Sequence, residues 1–124
     1  MSETTESPVI LTIDTKKNRL RIHKASLHKI GDPMFIQLLV NPVDMLVAIR
    51  GMDQEYSCDQ THRVRLVAHD SYEIYSKYFV ESLCSLKGIQ TPGIIYRLDG
   101  SVYKNARILL FPLNTLRPID AAGG

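Results

Sequence analysis

The segment MFIQLLVNPVDMLVAIR, residues 34–50, limits the possible folds more than any other part of the chain. Two apolar runs flank NPVD, in which asparagine, proline and aspartate all favour a turn. A turn there folds MLVAIR back on MFIQLLV as an antiparallel hairpin. MFIQLLV is apolar at nearly every position, the make-up of a central strand with both faces covered.

An earlier hairpin has a different pattern. Val9, Leu11 and Ile13 alternate with Ile10 and Thr12, and after the polar turn DTKKN comes RLRIH. Leu20 and Ile22 point one way there, and Arg19, Arg21 and His23 point the other, because side chains two apart share a side of a strand. A basic row thus lies opposite an apolar one. KASLHKI is expected to form a short helix ended by Gly31, with Pro33 beyond it.

In the second half, the polar loop 51–60 leads into RVRLV, a possible short strand. Asp70 and Glu73 have capping-box spacing, and Ile74, Tyr75, Tyr78, Phe79, Leu83 and Leu86 recur at threes and fours, so a helix is expected from about 71 to 87, ending at Gly88. IIYRL, a DG turn at 99–100, VYK and the strand RILLF follow. The order β-β-α-β-β-α-β-β predicts an α+β fold, an antiparallel sheet built from hairpins with two helices. A helix followed by a hairpin occurs twice, with too few matching residues for a repeat.

A chain of 124 residues, 44% hydrophobic and 23% charged, suits one globular domain, expected over 9–118 with flexible ends at 1–8 and 119–124. No apolar run reaches membrane-spanning length, and acidic rather than basic residues precede the first apolar stretch, unlike a secretory signal. A cytoplasmic protein is expected. Cys58 and Cys84 stand far apart, and His23, His28, His62 and His69 are irregularly spaced, so neither a disulfide framework nor a metal site is encoded. A net charge of +2 is low for a duplex nucleic-acid binder.

No nucleophile elbow, metalloprotease motif, P-loop or dinucleotide fingerprint occurs, which argues against an enzyme. The basic residues instead point to anion recognition. Arg21 and Arg50 emerge from strands, and a guanidinium can grip a phosphate with two parallel hydrogen bonds. Tyr72, Tyr75, Tyr78, Tyr96 and Tyr103 offer flat surfaces for a base, although Tyr75 and Tyr78 also fit the helix's core stripe. Asp59, Gln60, Thr61, His62 and Arg63 crowd acceptor, amide, hydroxyl, imidazole and guanidinium into one short stretch. Apolar residues on both sides of strand 34–40 call for a covering partner, for which a second copy of the chain is expected.

KNRLRIHKASLHKIGDPMFIQLLVNPVDMLVAIRG, with DQTHRV and EIYSKYFVESL downstream, resembles the Thoeris anti-defence sponge proteins of phages and prophages, over about residues 9–112. The resemblance implies a non-enzymatic immune-evasion protein without cofactors that works in the host bacterial cytoplasm. It would bind and sequester glycocyclic ADP-ribose, and cyclic oligonucleotides at separate sites, as a dimer or hexamer. It implies Arg21 and Arg50 at phosphate and Tyr75 as the stacking aromatic; the resemblance does not place the rest of the pocket, for which Asn105 and Arg107 are the candidates taken. Separately from the resemblance, the density of donors and acceptors at Gln60, Thr61, His62 and Arg63 makes them candidates for a second nucleotide site. RLRIHKASLHKIGDP and the hairpin after it also resemble swapped-hairpin DNA-binding regulators, and an inhibitor of another bacterial defence protein is a third reading.

Overall fold

The computed structural model describes residues 9–54, 61–63, 66–67, 71–89 and 93–119. The strands are β1 (Val9–Asp14), β2 (Arg19–His23), β3 (Phe35–Asn41), β4 (Leu46–Met52), β5 (Thr61–Arg63), β6 (Leu66–Val67), β7 (Ser71–Tyr75), β8 (Ile95–Tyr103), β9 (Ile108–Pro112) and β10 (Arg117–Pro118). The helices are α1 (Lys24–His28) and α2 (Lys77–Lys87). One sheet runs in the order β5-β3-β4-β9-β8-β1-β2-β7-β6, with β10 beside β8. Every pairing is antiparallel. The α+β class and the hairpin-built sheet are those expected from the sequence.

Register carries the apolar pattern across the strands. Tyr72, Ile22, Leu11 and Leu98 form one inward row, and Val40, Val47 and Phe111 continue through Gly100 to Val9 in another. Apart from Val40, which is partly buried and packs against it, these side chains belong with Leu38, Ile49 and Leu109 to a single buried cluster. Two short helices cannot cover so wide a face alone, so the halves of the sheet share one interior. Helix α2 lies across it, with Leu83 and Cys84 beside Ile13 and Tyr96, and Phe79 and Leu86 beside Leu38 and Val40.

Three local expectations are corrected. Residues 71–75 form a strand, because Tyr72 and Ile74 turn inward against β2 while Glu73 and Tyr75 face out. SYEIY fits a period of two as well as it fits a helix, and the open edge of β2 decides between them. Helix α2 therefore starts at Lys77, where the Ser76 hydroxyl accepts from Phe79 N at 3.2 Å, and Glu73 is no capping residue. Tyr75 and Tyr78 are both exposed rather than in the core stripe.

The third correction concerns Asp99-Gly100, which is no turn: β8 runs straight through it, and the reversal comes at Lys104–Ala106, with Arg107 in the left-handed region at φ 56. Glycine is needed at 100 for a different reason. A Cβ there would sit 2.5 Å from both the Leu110 carbonyl oxygen and the Phe111 ring. Gly100→Ala is therefore expected to lower unfolding free energy by about 1–3 kcal/mol in urea titrations. An unchanged midpoint would show that the strands can part at this point without cost.

Candidate functional site

The outward face of β1, β2 and β8 holds a groove of about 420 Å³. Its lining includes Thr12, Arg19, Arg21, His23 and Arg97, with Ile10, Ile95 and Ile119 as apolar walls. Arg21 stands opposite Thr12, and Thr12 opposite Arg97, so one hydroxyl separates two guanidinium-bearing residues on the same face. With neighbouring strands about 4.8 Å apart, the two arginine Cα atoms are roughly 10 Å from each other, a span their side chains can close around one anionic group. Glu73 extends this row beyond Arg21, and Arg117 extends it beyond Arg97.

Ion pairs fix the floor. Asp14 Oδ2 accepts from Arg19 at 3.1 Å, while its Oδ1 accepts from the backbone of Lys16 and Lys17 and so shapes the β1–β2 turn. Glu73 Oε2 accepts from Arg21 at 2.8 Å and from Arg19 at 3.3 Å. Asp99 takes Arg97 on one oxygen and Arg117 on the other. Four guanidinium groups thus face three carboxylates, which leaves one positive charge. Arg21 Nε is buried and has no hydrogen-bond partner, although the Arg21 side chain as a whole keeps 38% of its surface exposed. An orphaned donor beside a groove is an unmet demand for an acceptor.

The Arg21 hydrogen bond, helped by the charges of Arg19 and Arg21, holds the Glu73 carboxyl below its usual range despite burial. Burial alone would raise the Asp99 pKa, but donation from Arg117 and Arg97 outweighs it and the net shift is downward. Burial pushes the Cys84 thiol up, which fits a packing role in α2. Cys58 lies outside the described residues.

The residues expected to form one pocket fall into two groups. Arg21 and Tyr75 share the groove's face and are joined through Glu73, whose Oε1 accepts from the Tyr75 hydroxyl at 3.4 Å. Arg50 lies on β4, with β9, β8 and β1 between it and β2. Arg107 is committed to holding the fold: it donates to Ile30 O at 2.9 Å, to Gly31 O at 3.4 Å and to Asp53 at 2.8 Å. Asn105 is exposed in the turn after β8. Thr61, His62 and Arg63 form β5 on the far edge of the sheet, and Gln60 lies outside the described residues. Expected convergence of Arg21 with Arg50, Asn105 and Arg107 in one copy of the chain is thus absent.

Thr12, Arg97 and Arg117 were not singled out by the sequence pattern. Their only local signal is alternation: Arg97 sits between Tyr96 and Leu98 as Arg21 sits between Leu20 and Ile22. No group of three or more potential metal ligands occurs among the described residues, and none of their helices is long and apolar enough to cross a membrane. No family model, curated protein or solved structure matches the chain.

A depressed carboxylate pKa stabilises the folded state above the unfolded value, near 4.3 for glutamate, and that contribution is lost as pH falls through the folded value. Wild type should therefore exceed Glu73→Gln in Tm at neutral pH, with the gap closing as the solution is acidified below about 4. A gap that stays constant down to pH 2 would contradict this assignment of charge to Glu73.

Proposed function

We propose that the protein captures a small cyclic phosphorylated nucleotide in the groove between Arg21 and Arg97 and holds it without cleaving it. One observation carries the reading: the Arg21–Thr12–Arg97 row in an open groove, with the buried Arg21 Nε lacking a partner. Two guanidinium groups and a hydroxyl make a phosphate cradle. The single surplus charge suits a phosphodiester, which carries one negative charge per phosphate. Ile10, Ile95 and Ile119 supply an apolar wall for a sugar or base, and the groove's size falls within the range of about 300–1,000 Å³ usual for small-molecule sites. Exposed Tyr75, on the same face, is available for stacking.

The resemblance to phage sponge proteins gives this chemistry a setting, in which withholding a glycocyclic ADP-ribose or cyclic oligonucleotide signal from its effector blunts a bacterial defence. The salt-bridged floor, nearly neutral in sum, favours a compact ligand over a long polyanion such as DNA.

Calorimetric titration against cyclic dinucleotides, cyclic trinucleotides and cyclic ADP-ribose isomers is expected to give saturable binding to at least one of them, with intact ligand recovered after heat denaturation. Arg21→Ala and Arg97→Ala should each weaken binding about tenfold or more, the usual cost of losing a charge-assisted hydrogen bond. Arg50→Ala should leave it unchanged. Absence of binding across the panel, a cleaved product, or a loss confined to Arg50→Ala would overturn the reading.

A further inference from the structure

A second groove, of about 630 Å³, runs between α2 and β3. The helix borders it from Tyr78 to Leu86, about 12 Å along the axis, and the sheet borders it from Leu38 to Pro42, about 13 Å of extended chain. Leu38, Val40, Phe79 and Leu86 make its floor apolar. Among the described residues no part of β4 borders it, so it lies along the edge of the sheet and not over its middle.

That edge is open. β5 accompanies β3 only from Phe35 to Gln37, and over Leu38–Asn41 no strand among the described residues pairs with β3 on the side away from β4. Every second residue of a strand turns its N–H and C=O to the same side, so this stretch presents backbone donors and acceptors with no partner among the described residues. Edges that meet only water are normally guarded by a charge, a proline or a bulge. Leu38, Leu39 and Val40 supply none of these, and Pro42 comes only after the strand has ended.

Charge decides what fits. Glu81 is the one charged side chain on the groove among the described residues; it is exposed, and no ion pair holds it there. Asp44, exposed two residues beyond Pro42, adds a second carboxylate at the sheet's end, where it accepts from the neutral Asn41 amide at 3.0 Å. The groove is therefore negative in a chain of net charge +2, and it disfavours the kind of anion that suits the groove at Arg21 and Arg97.

We propose that this groove takes an extended peptide segment of a partner protein, with aliphatic residues at alternate positions and a lysine or arginine, added as a strand to the free edge of β3 at Leu38–Asn41. Main-chain hydrogen bonds to that edge hold the segment, alternate aliphatic side chains enter between Val40 and Leu86, and the cation meets Glu81. The groove's length matches about four residues of extended chain. A small apolar molecule would fill the floor and leave the strand edge unpaired, and a nucleotide would bring the wrong sign of charge to Glu81. The groove at Arg21 and Arg97 takes no part in this contact, so the peptide site stands or falls independently of ligand capture.

Panning a phage-displayed library of random peptides, about eight residues long or roughly twice the groove's span, against the immobilised full chain tests this. Enriched sequences should carry aliphatic residues at every second position together with a lysine or arginine, and the synthetic consensus peptide should bind saturably in fluorescence anisotropy. A single backbone N-methyl group moved along that peptide should cut binding at every second position, because only alternate N–H groups face β3. Ser85→Trp, which fills the groove from an exposed helix position, should abolish binding. Glu81→Lys should weaken it about tenfold, and replacing the peptide's cation with glutamate should restore it. Circular dichroism would confirm that each variant is folded. No enriched sequence, an acidic consensus, an N-methyl scan without alternation, or binding indifferent to Ser85→Trp would overturn the proposal. Self-association of the chain that Ser85→Trp removes would also overturn it, by giving the groove to a second copy.

Discussion

β8 belongs to both halves of the sheet, and Gly100 is the place where that becomes possible. The first six residues of the strand pair with β1 and its last three with β9, so the two hairpin systems meet on one backbone. At the junction Phe111 fills the space that a side chain at 100 would occupy. Its ring fills the gap at Gly100 in the row that runs from Val9 to Val40. Without that approach the halves would not share one interior, and the strand that delivers Arg97 to the groove would not be held in register with β1.

The same register accounts for the groove. Alternation sends Leu11, Leu20, Ile22 and Leu98 into the core, and for that reason it sends Thr12, Arg19, Arg21 and Arg97 outward on adjacent strands. Packed arginines would repel one another if unpaired; Asp14, Glu73 and Asp99 offset that cost and hold the side chains in place. Arg107 illustrates the contrast. Its guanidinium is taken up by two backbone carbonyls and Asp53, so its donors are used in tying α1 to the end of β4. Arg21 pairs with Glu73 yet retains a buried donor without a partner, the difference on which the proposed ligand site rests.

Much of the fold was legible because its strongest signals are local. Both N-terminal hairpins follow from alternation and turn chemistry, and the basic row Arg19-Arg21-His23 lies where a period of two puts it. Two misreadings have a common cause. SYEIY satisfies helical and strand spacing alike, and Asp-Gly fits a turn as readily as a close strand crossing; in both cases a distant neighbour decides, β2 for the first and Phe111 for the second. The site was legible only in part for the same reason. Arg21 was identified from its own strand, but its partner across Thr12 is 76 positions away in sequence, brought alongside by a strand order that no local pattern encodes. Arg50 and Arg107 share Arg21's chemistry, and only topology separates them from it.

The central claim is that Arg21 and Arg97 act together across Thr12 on one anionic group. Side-chain NMR of arginine Nε–Hε groups, followed during titration with cyclic ADP-ribose isomers and cyclic dinucleotides, tests it directly. The account requires saturable shifts at Arg21 and Arg97, with the Thr12 amide moving in step and Arg50 and Arg107 silent. Shifts at Arg50 or Arg107 while Arg21 and Arg97 stay fixed, or no shift with any of these ligands, would contradict it.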